Sequence, residues 1–174
     1  MEIADRYDIP VVEDAAEALS STYKDKKCGT FGEYGILSFN GNKIMTTGGG
    51  GAVTAKNAEQ ARHIRYLSTQ AKNDVHYYIH NEVGYNYRMT NLQAALGVAQ
   101  LEELPEFIRR KQANYDRYCE LFKNFELGSV VGFREGTFSN KWFYSLEINR
   151  EKVTATMREI ITALEERGVQ TRAI

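Results

Sequence analysis

Lys43 is the residue best placed for covalent chemistry. It follows Leu37-Ser38-Phe39-Asn40-Gly41-Asn42. A lysine just past a strand end, flanked by Ser, Asn and Gly, suits a tight polar pocket, in which hydroxyl and backbone N–H groups hold a phosphate. A partly desolvated amine there can lose its proton and attack a carbonyl. Read alone, it is more simply a solvated loop lysine, by far the commoner case for any one Lys. Glu13-Asp14 closes the apolar run Ile9-Pro10-Val11-Val12. A carboxylate at the C-terminal end of a strand sits where α/β proteins place ligands, and Asp14 could hold a positive charge on a ring nitrogen. The alternative is a helix-capping Asp. In Gly84-Tyr85-Asn86-Tyr87-Arg88-Met89, Asn86 and Arg88 stand just before a helix start, a position that suits an anion or plain turn and cap chemistry.

Other chemistries find less support. Gly48-Gly49-Gly50-Gly51 fits neither nucleotide-binding glycine motif and precedes a strand, so it reads as a turn where backbones approach closely. His63, His76 and His80 lack an acidic or cysteine partner at metal-ligand spacing, so no metal is expected. No Ser-His-Asp or Cys-His arrangement stands out. Cys28 and Cys119 are far apart and predict two free thiols in a reducing cytoplasm. With 22 basic and 23 acidic residues the net charge is −1, which gives no global field for nucleic acid or an anionic membrane. No apolar run approaches the ~20 residues of a membrane span, and the N-terminus is too polar for a signal peptide.

The positioning elements follow from the hydrophobic pattern. Residues 2–8 read as a helix end, and 9–12 as a short buried strand of parallel character. Residues 23–29 are turn-like, 35–39 and 52–55 are strands, and Asn57 caps a helix over 58–68. Residues 69–85 have no clean period. Leu92, Ala95, Leu96, Ala99 and Leu101 predict one helix, and a second follows over 106–123, with Pro105 at its start or at a kink. Residues 142–148 alternate as a strand, and a helix over 151–167 ends at Gly168. The expected class is α/β.

The order and spacing of these motifs carry more than any one of them. Val11-Val12-Glu13-Asp14-Ala15-Ala16-Glu17-Ala18, Gly29-Thr30-Phe31-Gly32, Ser38 to Lys43, Thr46-Thr47 with Gly48 to Gly51, Gly84 to Met89, Asn91-Leu92-Gln93-Ala94-Ala95 and Gln100-Leu101 together resemble the DegT/StrS sugar aminotransferases of fold type I. The resemblance is dense over residues 1–120 and thinner beyond. It implies a pyridoxal 5'-phosphate cofactor, with Asp14 on the pyridine nitrogen, Glu17 near the ring hydroxyl, Ser38 on the phosphate and Lys43 as the covalent cofactor lysine. Asn86 would reach the cofactor phosphate of the neighbouring subunit of a homodimer with a shared active site, and Arg88 would help with substrate phosphates. Gly49 stands where the family usually has Glu in Gly-Glu-Gly-Gly. That departure resembles the subgroup aminating UDP-linked 4-keto-6-deoxy-N-acetylhexosamines.

The implied fold is part of a three-layer αβα large domain over residues 1–112. A connecting helix and the start of a small α+β domain would follow over 113–174. The implied reaction moves an amino group, with L-glutamate the expected donor, to a nucleotide-linked 4-keto-6-deoxy sugar for surface, pilin or flagellar glycans. Family members are longer, and the resemblance puts the phosphate-holding helix start and the ring-stacking aromatic before residue 1. A rival expectation follows: a truncated chain that folds and self-associates without competent cofactor binding.

Overall fold

The computed structural model describes residues 1–74 and 76–174. In chain order the elements are α1 (Glu2–Arg6), β1 (Val12–Asp14), β2 (Thr22–Tyr23), β3 (Lys26–Lys27), β4 (Tyr34–Ser38), β5 (Gly51–Ala55), α2 (Ala58–Ser68), α3 (Asn91–Leu121), β6 (Gly128–Val130), β7 (Thr137–Phe138), β8 (Leu146–Ile148) and α4 (Met157–Glu165). The chain forms two compact units. One holds Met1–Asn114 with Phe133–Phe143, and the other holds Tyr115–Gly132 with Tyr144–Ile174.

The first unit is built on a sheet of order β1-β4-β5. β1 and β4 run parallel, with Asp14 opposite Ile36, whereas β4 and β5 run antiparallel, with Ser38 opposite Gly51. The parallel character expected of the first strand therefore holds for the β1–β4 pair and stops at β4. A parallel return needs a crossover of a dozen or more residues, usually a helix. Residues 39–50 instead fold back on themselves, with Phe39 N donating to Gly50 O (3.0 Å) and Thr47 N to Phe39 O (3.0 Å).

β1 also departs from expectation. It starts at Val12, includes Glu13 and Asp14, and leaves Val12 60% exposed, so it is not a buried strand here. The turn-like 23–29 segment contains a two-residue hairpin. Thr22 pairs with Lys27 and Tyr23 with Lys26, and Lys24 (φ 48°) and Asp25 (φ 62°) both take the left-handed conformation such tight turns require. β7 pairs with β2 from the other side, Thr22 opposite Phe138. The residue 39–47 loop and the turn after β1 carry several of the buried side chains, Met45, Thr47, Ala15 and Ser21, and Asn140, Lys141, Leu104 and Ala71 are buried as well.

α2 matches the sequence reading, with Asn57 accepting a hydrogen bond from Gln60 N at 2.9 Å. The two helices expected around Pro105 are one. α3 runs unbroken for 31 residues with Pro105 inside it. Proline costs the helix one backbone bond and crowds the carbonyl four residues back, but buried Leu104 and the paired charges after it hold the helix through the defect: Glu106 bonds Arg109 (2.6 and 2.7 Å) and Arg110 (2.7 Å).

In the second unit β6 and β8 pair antiparallel, Gly128 opposite Ile148. Tyr144 sits 5.8 Å from Tyr115 and 5.2 Å from Tyr118, ring to ring, and Phe122 meets Phe125 edge-on at 5.0 Å. The strand expected over 142–148 survives only at Leu146–Ile148. α4 begins six residues later than the sequence suggested, because Thr156 and Glu159 close a reciprocal capping box. Among the described residues no helix is long and apolar enough to cross a membrane.

Candidate active site

The carboxyl ends of β1 and β4 lie side by side, and the candidate residues emerge from them. Asp14 ends β1. Its Oδ1 accepts from Ala16 N at 3.1 Å, which turns the chain away from the strand. Asp14 does not cap a helix, because turns and not a helix follow it; Oδ1 shapes the first of those turns, and Oδ2 has no hydrogen bond among the described residues. Glu13, on the opposite face, clamps the following loop. Its Oε1 accepts from Gly29 N (2.5 Å) and Oε2 from Phe31 N (2.9 Å). Burial first, then the nearby Glu13 charge, pushes the Cys28 thiol up from its ordinary value, so Cys28 is no activated nucleophile.

Ser38 ends β4, and its Oγ accepts from Asn40 N at 3.4 Å. The chain turns at Asn40, whose carbonyl accepts from Lys43 N (3.0 Å). Lys43 is not a solvated loop lysine: only 13% of its side chain is exposed, and Nζ lies 3.3 Å from Glu17 Oε1. Nζ also lies 4.5 Å from the centroid of the Trp142 ring. The floor of the loop is anchored to α3, where Gln100 Oε1 accepts from Thr46 N at 3.2 Å. A Cβ on Gly97 would come within 3.0 Å of Thr47 Cγ2, so helix and loop are in close contact.

Asn86 and Arg88 stand apart from this cluster. The 84–87 strap is tied to the end of α2 by Tyr85 N donating to Leu67 O (2.7 Å) and Tyr87 N to Ser68 O (3.0 Å). The Tyr85 and Tyr87 rings stack at 5.0 Å on either side of Asn86 in sequence, and the side chains of Asn86 and Arg88 are exposed. The structure brings Glu17 and Lys43 into contact, with Asp14 and Ser38 on the neighbouring strand ends. Asn86 and Arg88 share no hydrogen bond with any of these four among the described residues.

Two contributors were not legible in the sequence. Trp142 donates Nε1–H to Asn42 O (2.5 Å), one residue before Lys43. Asn140, 2% exposed, sends Nδ2 to Glu17 O (3.0 Å) and Leu19 O (2.9 Å) and accepts from Trp142 N (2.9 Å) on Oδ1. They lie about a hundred residues from their partners, and a strand-like 142–148 pattern says nothing about such contacts. The Asn-Lys-Trp run, with a buried-type amide between polar neighbours, was the one available hint.

The donor set suits pyridoxal 5'-phosphate. A shielded amine, a carboxylate with an uncommitted oxygen and a hydroxyl stand together at strand ends, matching an aldehyde, a ring nitrogen and a phosphate. Fold and site together define an α/β protein with a lysine-centred site at the carboxyl edge of its sheet. The DegT/DnrJ/EryC1/StrS aminotransferase family model matches residues 1–174, and the chain belongs to that family. It is 38% identical over 177 residues to EpsN of Bacillus subtilis (strain 168), provisionally described as a pyridoxal phosphate-dependent aminotransferase. That match covers 99% of this chain and 44% of EpsN. It is 36% identical over 177 residues to the GDP-perosamine synthase of Caulobacter vibrioides, covering 100% of this chain and 47% of that protein. The crystal structure of the aminotransferase TlmJ from Streptoalloteichus hindustanus superposes with a TM-score of 0.90 at 27% identity, over 99% of this chain and 46% of TlmJ. The fold expected from the sequence, part of a type I aminotransferase, is thus the observed one. The chain spans about half the length of the curated relatives it matches.

Proposed function

We propose that this chain carries the lysine half of a pyridoxal 5'-phosphate site. The protein would move an amino group from an amino-acid donor, L-glutamate, to a nucleotide-linked 4-keto-6-deoxy sugar. The observation that carries the reading is the shielded Lys43 amine, 3.3 Å from Glu17, beside the strand ends that present Asp14 and Ser38. Bound pyridoxal phosphate would supply an aldehyde and a ring able to withdraw electrons. Lys43 Nζ would hold the cofactor and carry a proton to and from the carbon that is aminated. Asp14 Oδ2 would hold the pyridine nitrogen charged, Ser38 Oγ would donate to the phosphate, and Glu17 would orient the amine.

Asn86 and Arg88, exposed on their strap, suit a role toward the site of a second subunit, which supports a homodimer with shared sites. The nucleotide-sugar substrate rests on family membership and on the GDP-perosamine synthase relative. Gly49 supports the UDP-N-acetylhexosamine subgroup and, through it, glycan biosynthesis. The test is a titration of the chain with pyridoxal phosphate followed by visible absorption. A saturable shifted band is expected, absent in Lys43→Ala and weakened in Asp14→Ala. A spectrum that remains the sum of protein and free cofactor refutes the reading.

A further inference from the structure

We propose that Trp142 is a positioning residue for Lys43, held in place by Asn140. This deepens the functional reading above and rests on it for the cofactor, though not for the geometry. The indole face lies 4.5 Å from Lys43 Nζ, and its N–H is bonded to the carbonyl of Asn42. One side chain therefore fixes both the amine and the backbone that carries it. A lysine has four side-chain torsions and ordinarily wanders. Here the ammonium is confined between the ring and the Glu17 carboxylate, a pairing favourable by the ring quadrupole.

The backbone that carries the indole is itself held on both sides. Trp142 O accepts from Lys111 Nζ of α3 (3.0 Å), and Trp142 N donates to Asn140 Oδ1 (2.9 Å). Asn140 N donates to Ser21 Oγ (3.0 Å), and its amide donates to Glu17 O and Leu19 O. Segment 140–142 thus joins the Glu17 turn to the Lys43 loop, so both partners of the ion pair are set by one short stretch. Apart from the Lys43–Glu17 bond itself, no other side-chain hydrogen bond in the first unit links those two segments among the described residues. Holding a reacting amine in one place is worth rate because small misplacements of a reacting atom are costly.

The experiment compares the wild type, Trp142→Phe and Trp142→Leu by two readouts. The first needs no cofactor: competitive acylation of lysines in the native protein, read by mass spectrometry as Lys43 relative to Lys56. Removing the ring uncovers Lys43, so its labelling in Trp142→Leu rises about fivefold or more, and in Trp142→Phe less than about twofold. The second is the rate at which pyridoxal phosphate is captured on Lys43, trapped by borohydride. It moves the opposite way, falling about tenfold in the leucine variant and about threefold or less in the phenylalanine variant. A residue serving only to fill space would not make Lys43 more open to a small reagent and less competent with the cofactor. Trp142→Met repeats the test should the leucine variant fail to melt cooperatively. Unchanged labelling of Lys43 in both ring-less variants overturns the proposal. Labelling that behaves as expected in a chain whose wild type captures no cofactor refutes the functional reading instead.

Discussion

Replacing Asn140 by alanine removes a buried amide that makes three side-chain hydrogen bonds, at 3.0, 2.9 and 2.9 Å. Each such bond contributes about 1 kcal/mol net, and more when the abandoned partner stays shielded from water. The Glu17 and Leu19 carbonyls are only partly buried, so water can recover some of the loss. The expected cost is about 2–3 kcal/mol, a large share of a typical stability of about 5–15 kcal/mol. Urea denaturation should show the midpoint falling with the slope unchanged, since the exposed area on unfolding is the same. Asn140→Asp is the sharper variant. It keeps the acceptor for Trp142 N but turns a donor into a carboxylate oxygen facing two carbonyls. It should cost at least as much as alanine despite its matching shape. A loss under about 0.5 kcal/mol in Asn140→Ala, or a well-tolerated aspartate, would refute the view that this amide ties the site together.

Four further outcomes are expected. Gly35→Ala should abolish folding, because a Cβ there would sit 2.1 Å from Gly29 O, whereas Gly49→Glu, with nothing within 4 Å of its Cβ, should change stability by less than about 0.5 kcal/mol; thermal melts of the pair decide this. Pro105→Ala should stabilise the chain by about 1 kcal/mol or more, by restoring a helix bond, read as a rise in the urea midpoint. Thr156→Ala should cost about 1 kcal/mol through loss of the α4 cap, checked by circular dichroism melts. The hydrogen bonds of Arg109 and then Arg110 hold the Glu106 carboxyl down at about 2. A depressed acid contributes stability above its ordinary value, and that contribution is lost as pH falls toward about 2. Thermal melts between pH 4.5 and 2 should therefore decline less steeply in Glu106→Gln than in the wild type.

Local signals in the sequence carried far, because they are backbone chemistry. Asn57 caps α2 as its type predicts, and the lysine loop follows a strand end as its Ser-Phe-Asn-Gly lead-in suggests. What failed depends on tertiary context. Val12 is exposed in this chain although an apolar run ending at a carboxylate pair reads as buried, since burial needs a covering layer the pattern cannot report. Pro105 reads as a helix start or a kink, but α3 runs through it, with Leu104 buried and Glu106 bonded to Arg109 and Arg110. The antiparallel β5 and the Lys24-Asp25 hairpin turn both rest on loop conformations that no hydrophobic period encodes. At the site, the order and spacing of the motifs single out Asp14, Glu17, Ser38 and Lys43, and the structure sets Glu17 against Lys43 with Asp14 and Ser38 on neighbouring strand ends. Asn140 and Trp142 were not, because they reach that edge from the far end of the chain.

Lys43 as the cofactor lysine is the claim on which the rest depends, and its most direct test is to locate the cofactor. The chain is mixed with less than one equivalent of pyridoxal phosphate, reduced with borohydride, digested and mapped by mass spectrometry. The phosphopyridoxyl mass should appear on the peptide holding Lys43, in strong preference to the more exposed Lys56 and Lys152. Label spread over the surface lysines in proportion to their exposure, with Lys43 unmodified, would contradict it.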